Sequence, residues 1–349
     1  MRWTCFFPLC MRSKGSPRVK ARIRPIIKTR NSKNQNSKNQ NTMSRALRST
    51  VKGLAQKLLG QSDVGGFVRT RQLWLSKQIY RRPVQIAELR GRLIDLGVTR
   101  GRTVWVQSSW NEFFNVPMRP SEVIDLLREL IGSEGTLAMP AFPIDQDPGK
   151  VFLVDRAPVY TGLLCEVFRR SPGVLRSIHL GSSVCAIGPN ADFLIRDHHH
   201  TNTAWGKDTP FCRLMEVDAR LVGLGAGFNF MTPLHVVECL LYNEVPFFRL
   251  VFSGGTIRYR WKRANGETGE HEFMPRTGDI RPQRLRRHFG SDICVETQIS
   301  NLKMIAADAK PFVEHAVALG RRGITMYVQP VPKKVLFIPF QRPIEGRVA

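Results

Sequence analysis

Residues 220–238 read RLVGLGAGFNFMTPLHVVE, and this stretch decides how we expect the chain to fold. Residues 220–225 form an apolar run that ends at glycine, which is typical of a buried strand followed by a loop. Thr232 is a good N-cap and Pro233 is favoured as the first helical residue, so a helix should begin there. The stretch therefore predicts a strand, a loop and a helix in direct succession.

The same alternation continues on both sides of this stretch. The predicted elements are a helix over 84–96, a strand over 103–106, a helix from the N-cap Ser121 to Gly132, a strand over 135–140, a helix from the N-cap Thr161 to Phe168, a strand over 183–187, β segments over 246–252 and 256–261, a helix over 306–319 and a strand over 324–328. Strands and helices that alternate with short connections predict an α/β fold.

Positive charge is concentrated at the start of the chain. The protein has 53 Lys and Arg against 28 Asp and Glu, a formal charge of +25. Residues 1–62 hold 15 of these basic side chains and no acid, so residues 63–349 carry only +10. The pentapeptide NSKNQ at 31–35 is repeated at 36–40, and such polar low-complexity sequence cannot bury enough apolar surface to order itself. We predict a disordered basic tail over 1–62 and a single catalytic domain over 63–349.

The tail leaves three alternatives open. Its composition also resembles that of an organelle transit peptide. A start site assigned too far upstream, with Met43 as the true start, is an equally good explanation. A basic arm that touches nucleic acid is the third, although runs of charge are usually solvated.

Several classes of protein and site are excluded by pattern. No run approaches the roughly 18 apolar residues that a membrane helix needs. Seven scattered cysteines without a C-x-x-C pair indicate a reducing compartment, which we take as cytoplasmic, and they provide neither a disulfide nor a zinc framework. His198, His199 and His200 are adjacent and point in different directions, so we expect a solvated loop and no metal.

His235 is the candidate for chemistry in the opening stretch. It falls in the first turn of the predicted helix, where the positive end of the helix dipole disfavours an imidazolium ion. A neutral imidazole is a competent general base near pH 7. Glu238, three residues on, could orient the ring or pair with a substrate ammonium group. The alternative is that His235 only caps or packs at the start of a helix.

Two further segments carry candidate binding residues. Residues 176–183 read RSIHLGSS, and the cation, hydroxyl, histidine and backbone N–H groups there could hold phosphates or a thioester carbonyl. Ser108 and Ser109 follow a predicted strand, at the carboxyl end where open α/β sheets usually place ligands.

Taken in order, these segments resemble the aminoglycoside 3-N-acetyltransferase family. The resembling pieces are residues 104–109, 134–140, 172–179, Gly206 with Thr209 and Pro210, and 232–238. The likeness spans about 83–245 and continues more loosely to about 340. It implies one layered α/β/α domain with a mixed central sheet, which uses acetyl-coenzyme A to acetylate an amine of an aminoglycoside or other amino sugar.

The resemblance also implies roles for individual residues. His235 is the general base in a direct attack that forms no acyl-enzyme. Ser108, Ser109, Arg176, Ser177 and His179 line the coenzyme site, and Ser182 belongs to the same loop. The acid that orients the base comes from further along the chain, with Glu270, Glu272 and Asp279 as candidates beside Glu238. A homodimer is one oligomeric state that we consider.

The sequence departs from the family pattern at two positions. Gln107 stands where the family usually has histidine, and Leu180 stands where it usually has proline. These departures motivate the alternative function, a catalytically degenerate binding protein on the same scaffold.

Overall fold

The structure is a computed structural model that describes residues 64–339, with side chains from residue 70 onward. The predicted tail over 1–62 lies outside the described residues. Helix α1 (Val64–Ile79) belongs to a separate compact unit, and the unit that carries the sheet begins at Tyr80. Within the described residues, no helix combines the length and the apolar character needed to span a bilayer.

The unit from Tyr80 is built on a seven-stranded sheet. Its elements in chain order are α2 (Ile86–Asp95), β1 (Thr103–Ser108), α3 (Pro120–Ile131), β2 (Thr136–Pro140), β3 (Val151–Leu153), α4 (Leu163–Arg169), β4 (Leu175–Arg176), β5 (Val184–Ile187), α5 (Ala191–Ile195), α6 (Pro210–Glu216), β6 (Arg220–Leu224), α7 (Val236–Leu240), α8 (Pro246–Leu250), β7 (Ile257–Lys262), β8 (Thr268–Phe273), β9 (Asp279–Ile280), α9 (Gln283–Arg286), β10 (Cys294–Ile299), β11 (Leu302–Asp308), α10 (Ala309–Arg321) and β12 (Tyr327–Gln329). The strand order is β10-β11-β6-β1-β2-β5-β4.

The sheet is mixed, with parallel strands at its centre. β1 pairs in parallel with both β2 and β6, whereas the outer pairings of the sheet are antiparallel. All residues of β1 are buried, as expected for a central strand covered on both faces. Its carboxyl end therefore lies beside the carboxyl end of β6, with Ser108 paired to Leu224.

Alternate residues of the central strands supply two separate cores. Trp105 packs on one face with Phe211 of α6 and Phe312 of α10. Val104 packs on the other face with Leu93 of α2 and Leu127 of α3. Because helices cover both faces, the predicted layered α/β/α architecture with a mixed central sheet is confirmed.

A second, three-stranded sheet has the order β3-β7-β8 and a core of its own. Tyr259, Trp261 and Phe273 point into that core, and the residues between them on β7 and β8 are mostly exposed. A two-stranded antiparallel sheet joins β9 to β12.

Two predicted N-caps are wrong by one or two residues. α3 begins at Pro120 after the N-cap Arg119, whose backbone N–H donates to the Glu122 carboxylate, so Ser121 lies inside the helix. α4 follows Gly162, because the Thr161 hydroxyl donates to the Pro140 carbonyl and is not free to cap.

Two further predictions are corrected, one in the type of secondary structure and one in the residue at which a helix begins. Residues 246–252, predicted as β, begin with the helix α8, since Pro246 starts a turn that buries Phe247 and Phe248. The predicted helix over 306–319 begins at Ala309, because residues 306–308 complete β11 against β6.

Candidate active site

The loop after β6 positions His235. Two 3-10 turns, Phe228–Phe230 and Thr232–His235, lead into α7. Thr232 therefore begins a 3-10 turn and does not cap an α-helix as predicted. Its hydroxyl accepts a hydrogen bond from the Gln107 side-chain amide, and its backbone N–H donates to Gln107 Oε1 at 3.1 Å. Gln107 thus ties the end of β1 to the turn that carries the histidine.

His235 and Glu238 form a close pair. His235 Nδ1 lies 3.0 Å and 3.2 Å from the two carboxylate oxygens of Glu238, and the Glu238 residue is 1 % exposed. A carboxylate can only accept hydrogen bonds, so Nδ1 carries the ring proton and donates a hydrogen bond to Glu238. The imidazole Nε2 is then the ring nitrogen with a lone pair. The Trp205 ring packs against the imidazole, with 4.8 Å between ring centroids.

Burial sets the charge state of His235. Burial lowers the pKa of its imidazole, the charge of Glu238 opposes that shift, and the charge of Arg276 lowers the pKa further. The sequence pattern predicts a neutral ring through the helix dipole, but α7 has only five residues. The neutral state is reached by desolvation, which disfavours the charged form.

Ser108 and Ser109 lie at the carboxyl end of β1, next to Gln107. The Ser108 hydroxyl is buried and has no hydrogen-bond partner within the described part of the chain. Ser109 is half-buried, and its backbone N–H donates to the Leu224 carbonyl at 3.0 Å. Buried polar groups are normally paired, so the Ser108 hydroxyl is a group that a ligand could satisfy.

Arg176 has a structural role in this arrangement. It is 3 % exposed and donates to the carbonyls of Val154, Ala157 and Ala141 and to the Ser183 hydroxyl. Burial lowers the pKa of its guanidinium to about 10. The predicted role in binding coenzyme phosphates needs an accessible cation, and the guanidinium instead joins chain segments in the interior.

The rest of the 176–183 loop is also buried. Ser177 and His179 are 0 % exposed and Ser182 is 8 % exposed. His179 Nδ1 accepts from the backbone N–H groups of Gly181 and Ser182, both at 3.1 Å. Ser177 Oγ lies 2.9 Å from His198 Nδ1. In this structure the loop stabilises the fold, and the coenzyme contacts implied for it stay a prediction.

The histidine run at 198–200 is predicted to be a solvated loop, and this holds for the exposed His200 but not for His198. His198 is fully buried in a 3-10 turn, and its ring stacks on that of His179 with 4.6 Å between centroids. Its Nε2 reaches the Ala204 carbonyl at 3.2 Å. Across the described residues, no group of three His, Cys, Asp or Glu side chains could hold a metal ion.

The distant acids that the resemblance offers as candidates are not the partners of His235. Glu272 is exposed on the outer face of β8, since the neighbouring His271 and Phe273 point inward. Glu270 is exposed on that face too and pairs with Arg258. Asp279 starts β9 and is half-buried. The carboxylate at His235 is therefore that of Glu238, and the prediction of Glu272 as a catalytic residue is corrected.

Sequence reasoning missed three residues near the pair. The Tyr327 hydroxyl donates to Glu238 Oε1, Arg276 Nη1 donates to Tyr327 Oη at 3.3 Å, and Trp205 packs on the imidazole. Tyr327 lies 89 residues beyond Glu238, and no local motif in the sequence points to it.

Both departures from the family pattern have a structural use. The Leu180 backbone N–H donates to the Tyr259 hydroxyl at 3.0 Å, a bond that proline could not make. Gln107 makes two hydrogen bonds to Thr232 and accepts a third from Trp105 Nε1 at 3.1 Å. Both residues therefore have a place in the hydrogen bonding of the fold.

The family assignment rests on the region that holds this site. A family model for aminoglycoside 3-N-acetyltransferase matches residues 105–320, from β1 to the end of α10. This chain belongs to that family. The resemblance inferred from the sequence is therefore confirmed.

Curated relatives in the aminoglycoside 3-N-acetyltransferase family align over about half of the chain. Aminoglycoside N(3)-acetyltransferase IV of Salmonella sp is 34% identical over 164 residues, covering 46% of this chain and 60% of the relative. Aminoglycoside N(3)-acetyltransferase VIII of Streptomyces fradiae is 33% identical over 172 residues, covering 43% and 60%. The chain thus matches less than two thirds of the length of these relatives.

Solved structures share the fold. Aminoglycoside acetyltransferase AAC(3)-Xa superimposes with a TM-score of 0.60 at 23% identity, covering 73% of this chain and 99% of the other. The binary complex of AAC-IIIb with CoASH gives a TM-score of 0.59 at 21% identity, covering 69% and 98%. At these identities the likeness establishes the family fold alone.

Proposed function

We propose that this protein is an acetyl-coenzyme A-dependent N-acetyltransferase that acetylates an amine of an aminoglycoside or another amino sugar. One observation carries the proposal: the His235 imidazole, whose side chain is 13 % exposed, pairs with the buried Glu238 carboxylate at the carboxyl edge of the central strands. Membership of the aminoglycoside 3-N-acetyltransferase family supports this choice of reaction. The solved family structure with CoASH bound supports acetyl-coenzyme A as the acyl donor.

In the proposed mechanism His235 acts as the general base. Glu238 holds Nδ1–H, which leaves the Nε2 lone pair to take a proton from the acceptor amine. The amine nitrogen attacks the thioester carbonyl directly, a C–N bond forms, and the C–S bond breaks. The proton held by His235 then passes to the departing coenzyme sulfur, which leaves as the free thiol. No acyl-enzyme is formed.

We assign Ser108 to the binding of the acyl donor. Its hydroxyl is buried, unpartnered within the described residues, and adjacent to Gln107, which holds the turn of His235. A hydroxyl of this kind can donate to the thioester oxygen as negative charge develops there. Ser109, at the same strand end, supports the same assignment. The unpartnered Ser108 hydroxyl supports the proposal that acetyl-coenzyme A binds at this edge of the sheet.

We also propose a cytoplasmic location. The five cysteines in the described part of the chain are all free thiols, as is usual in a reducing compartment.

The test measures thiol release from acetyl-coenzyme A with aminoglycosides and simpler amino sugars as acceptors. His235→Ala should lower kcat by about 10²–10⁴-fold, the usual contribution of a general base. His288→Ala is the matched control, since His288 lies in a different region and contacts Arg287. Equal turnover in wild type and His235→Ala would remove His235 from the mechanism. Failure to bind coenzyme A in calorimetry would favour the degenerate binding protein.

A further inference from the structure

Tyr327 contacts the His235–Glu238 pair, and it lies beyond the residues that match the family model. The family match ends at residue 320, whereas Tyr327 lies on β12, after α10. Its hydroxyl donates to Glu238 Oε1, the same oxygen that lies 3.0 Å from His235 Nδ1. A residue beyond the end of the family match therefore bonds to the His235–Glu238 pair.

The phenol is held in place from several directions. Tyr327 is 0 % exposed, and its strand pairs with Ile280 of β9. Its backbone carbonyl accepts from Arg284 Nη1 at 2.6 Å, and its hydroxyl accepts from Arg276 Nη1 at 3.3 Å. A side chain fixed at both its backbone and its hydroxyl can hold a carboxylate in one orientation.

We infer that Tyr327 is a positioning residue for acetyl transfer, whose hydroxyl fixes the Glu238 carboxylate and through it the tautomer and orientation of His235. This inference rests on the proposed function, in which His235 is the base. Carboxylates that orient a histidine are commonly held in turn by further hydrogen-bond donors, because an unheld carboxylate rotates. Burial and the charge of Glu238 raise the pKa of the Tyr327 phenol, so the hydroxyl keeps its proton and donates.

Removal of the hydroxyl should change the protonation of His235 in a defined direction. Within the described residues, the charged and titratable groups coupled to this pair are Glu238 and Cys239 of α7, Arg276 of the segment before β9, and Tyr327 of β12. Without the phenolic donor, the negative charge of Glu238 is less neutralised and stabilises the imidazolium more strongly. The titration midpoint of His235 should therefore rise.

The experiment compares wild type with Tyr327→Phe in the full chain. The His235 imidazole is followed by nitrogen NMR as pH is varied without substrate, its signal being assigned by its loss in His235→Ala. We expect its midpoint to rise by roughly 0.5–1 pH unit in Tyr327→Phe. The acid limb of the pH profile for kcat should move upward by the same amount.

Tyr259→Phe is the matched control, because its buried hydroxyl bonds to His271 Nδ1 at 2.9 Å and not to the catalytic pair. It should lower the melting temperature without moving the His235 midpoint. A His235 midpoint that does not rise in Tyr327→Phe overturns the inference, even if kcat falls. The NMR titration needs no turnover, so it tests the role of Tyr327 by itself. Failure of the proposed acetyl transfer would appear only in the kcat measurement.

Discussion

Gln107 connects two parts of the site that are 125 residues apart in the chain. A carboxamide presents an acceptor and donors at one end, so it can serve the N–H and the hydroxyl of Thr232 together. It also accepts from Trp105, which anchors its oxygen in the core. The position of His235 therefore depends on the Gln107 side chain, which bonds to the first residue of the turn that contains His235 and to Trp105 in the core.

We predict that Gln107→Leu lowers both stability and turnover. The change leaves the buried Trp105 Nε1–H without its acceptor, at about 1–3 kcal/mol, and the half-buried Thr232 backbone N–H without its acceptor, at about 1 kcal/mol. The free energy of unfolding in urea should fall by about 2–4 kcal/mol, and kcat by about 10-fold or more as His235 loses its position. Gln298→Leu, at an exposed amide on β10, should change neither. Unchanged urea stability in Gln107→Leu would show that these hydrogen bonds contribute nothing net.

At the scale of elements, the turn after β6 packs its backbone against the end of β1. Gly225 has φ +65°, and a Cβ there would lie 2.8 Å from the Ser109 carbonyl oxygen and 2.6 Å from Glu112 Cβ. A Cβ added at Gly227, in the same loop, would meet no atom of the described residues within 4 Å. Of these two positions, close approach therefore requires glycine at Gly225 and not at Gly227.

Gly225→Ala should destabilise the protein, whereas Gly227→Ala should not. A left-handed backbone costs alanine roughly 1–2 kcal/mol, and the close contact with the Ser109 carbonyl adds a similar amount. We expect about 2–4 kcal/mol less stability in denaturant unfolding, with reduced kcat because the β1 and β6 ends separate. Gly227→Ala should be neutral or slightly stabilising. Similar unfolding midpoints for the two variants would contradict the close packing.

Helices and strands with a clear pattern of apolar residues could be predicted from the sequence. The residues at which they begin and end could not. The runs that became β1, β2, β5 and β6 are short and apolar because helices cover both faces of the sheet. Helix starts depended on distant partners: the Thr161 hydroxyl goes to Pro140, which no local pattern reveals. β10 was missed because most of its residues are exposed, so it carries little apolar signal.

In the site, too, contacts between neighbouring residues could be predicted from the sequence and contacts between distant residues could not. The spacing of His235 and Glu238 is local, so their contact could be foreseen. Tyr327 reaches Glu238 through tertiary structure alone. Arg176 was predicted to bind the coenzyme from its place in the 176–183 segment, and only the fold shows the carbonyls that satisfy its guanidinium.

On the scale of the whole molecule, buried neutral histidines join the two sheets. His179 follows β4 of the large sheet, His271 lies on β8 of the small one, and His198 stacks on His179. The hydroxyl of Tyr259 and the carbonyl of Thr201 hold the His271 ring. Burial lowers the pKa of all three rings, that of His198 to about 3.

This cluster predicts a protein that loses stability in mild acid. The three rings are neutral in the fold, while in the unfolded chain they bind protons below about pH 6.5. Stability is then fully present above that pH and falls as pH drops, by up to about 1.4 kcal/mol per pH unit for each ring. Urea unfolding between about pH 7.5 and 5 should show this slope. His198→Asn should reduce it relative to wild type, because one of the three buried rings is then absent. Unfolding free energies that stay constant over that range of pH would mean that the buried rings already carry their protons in the fold.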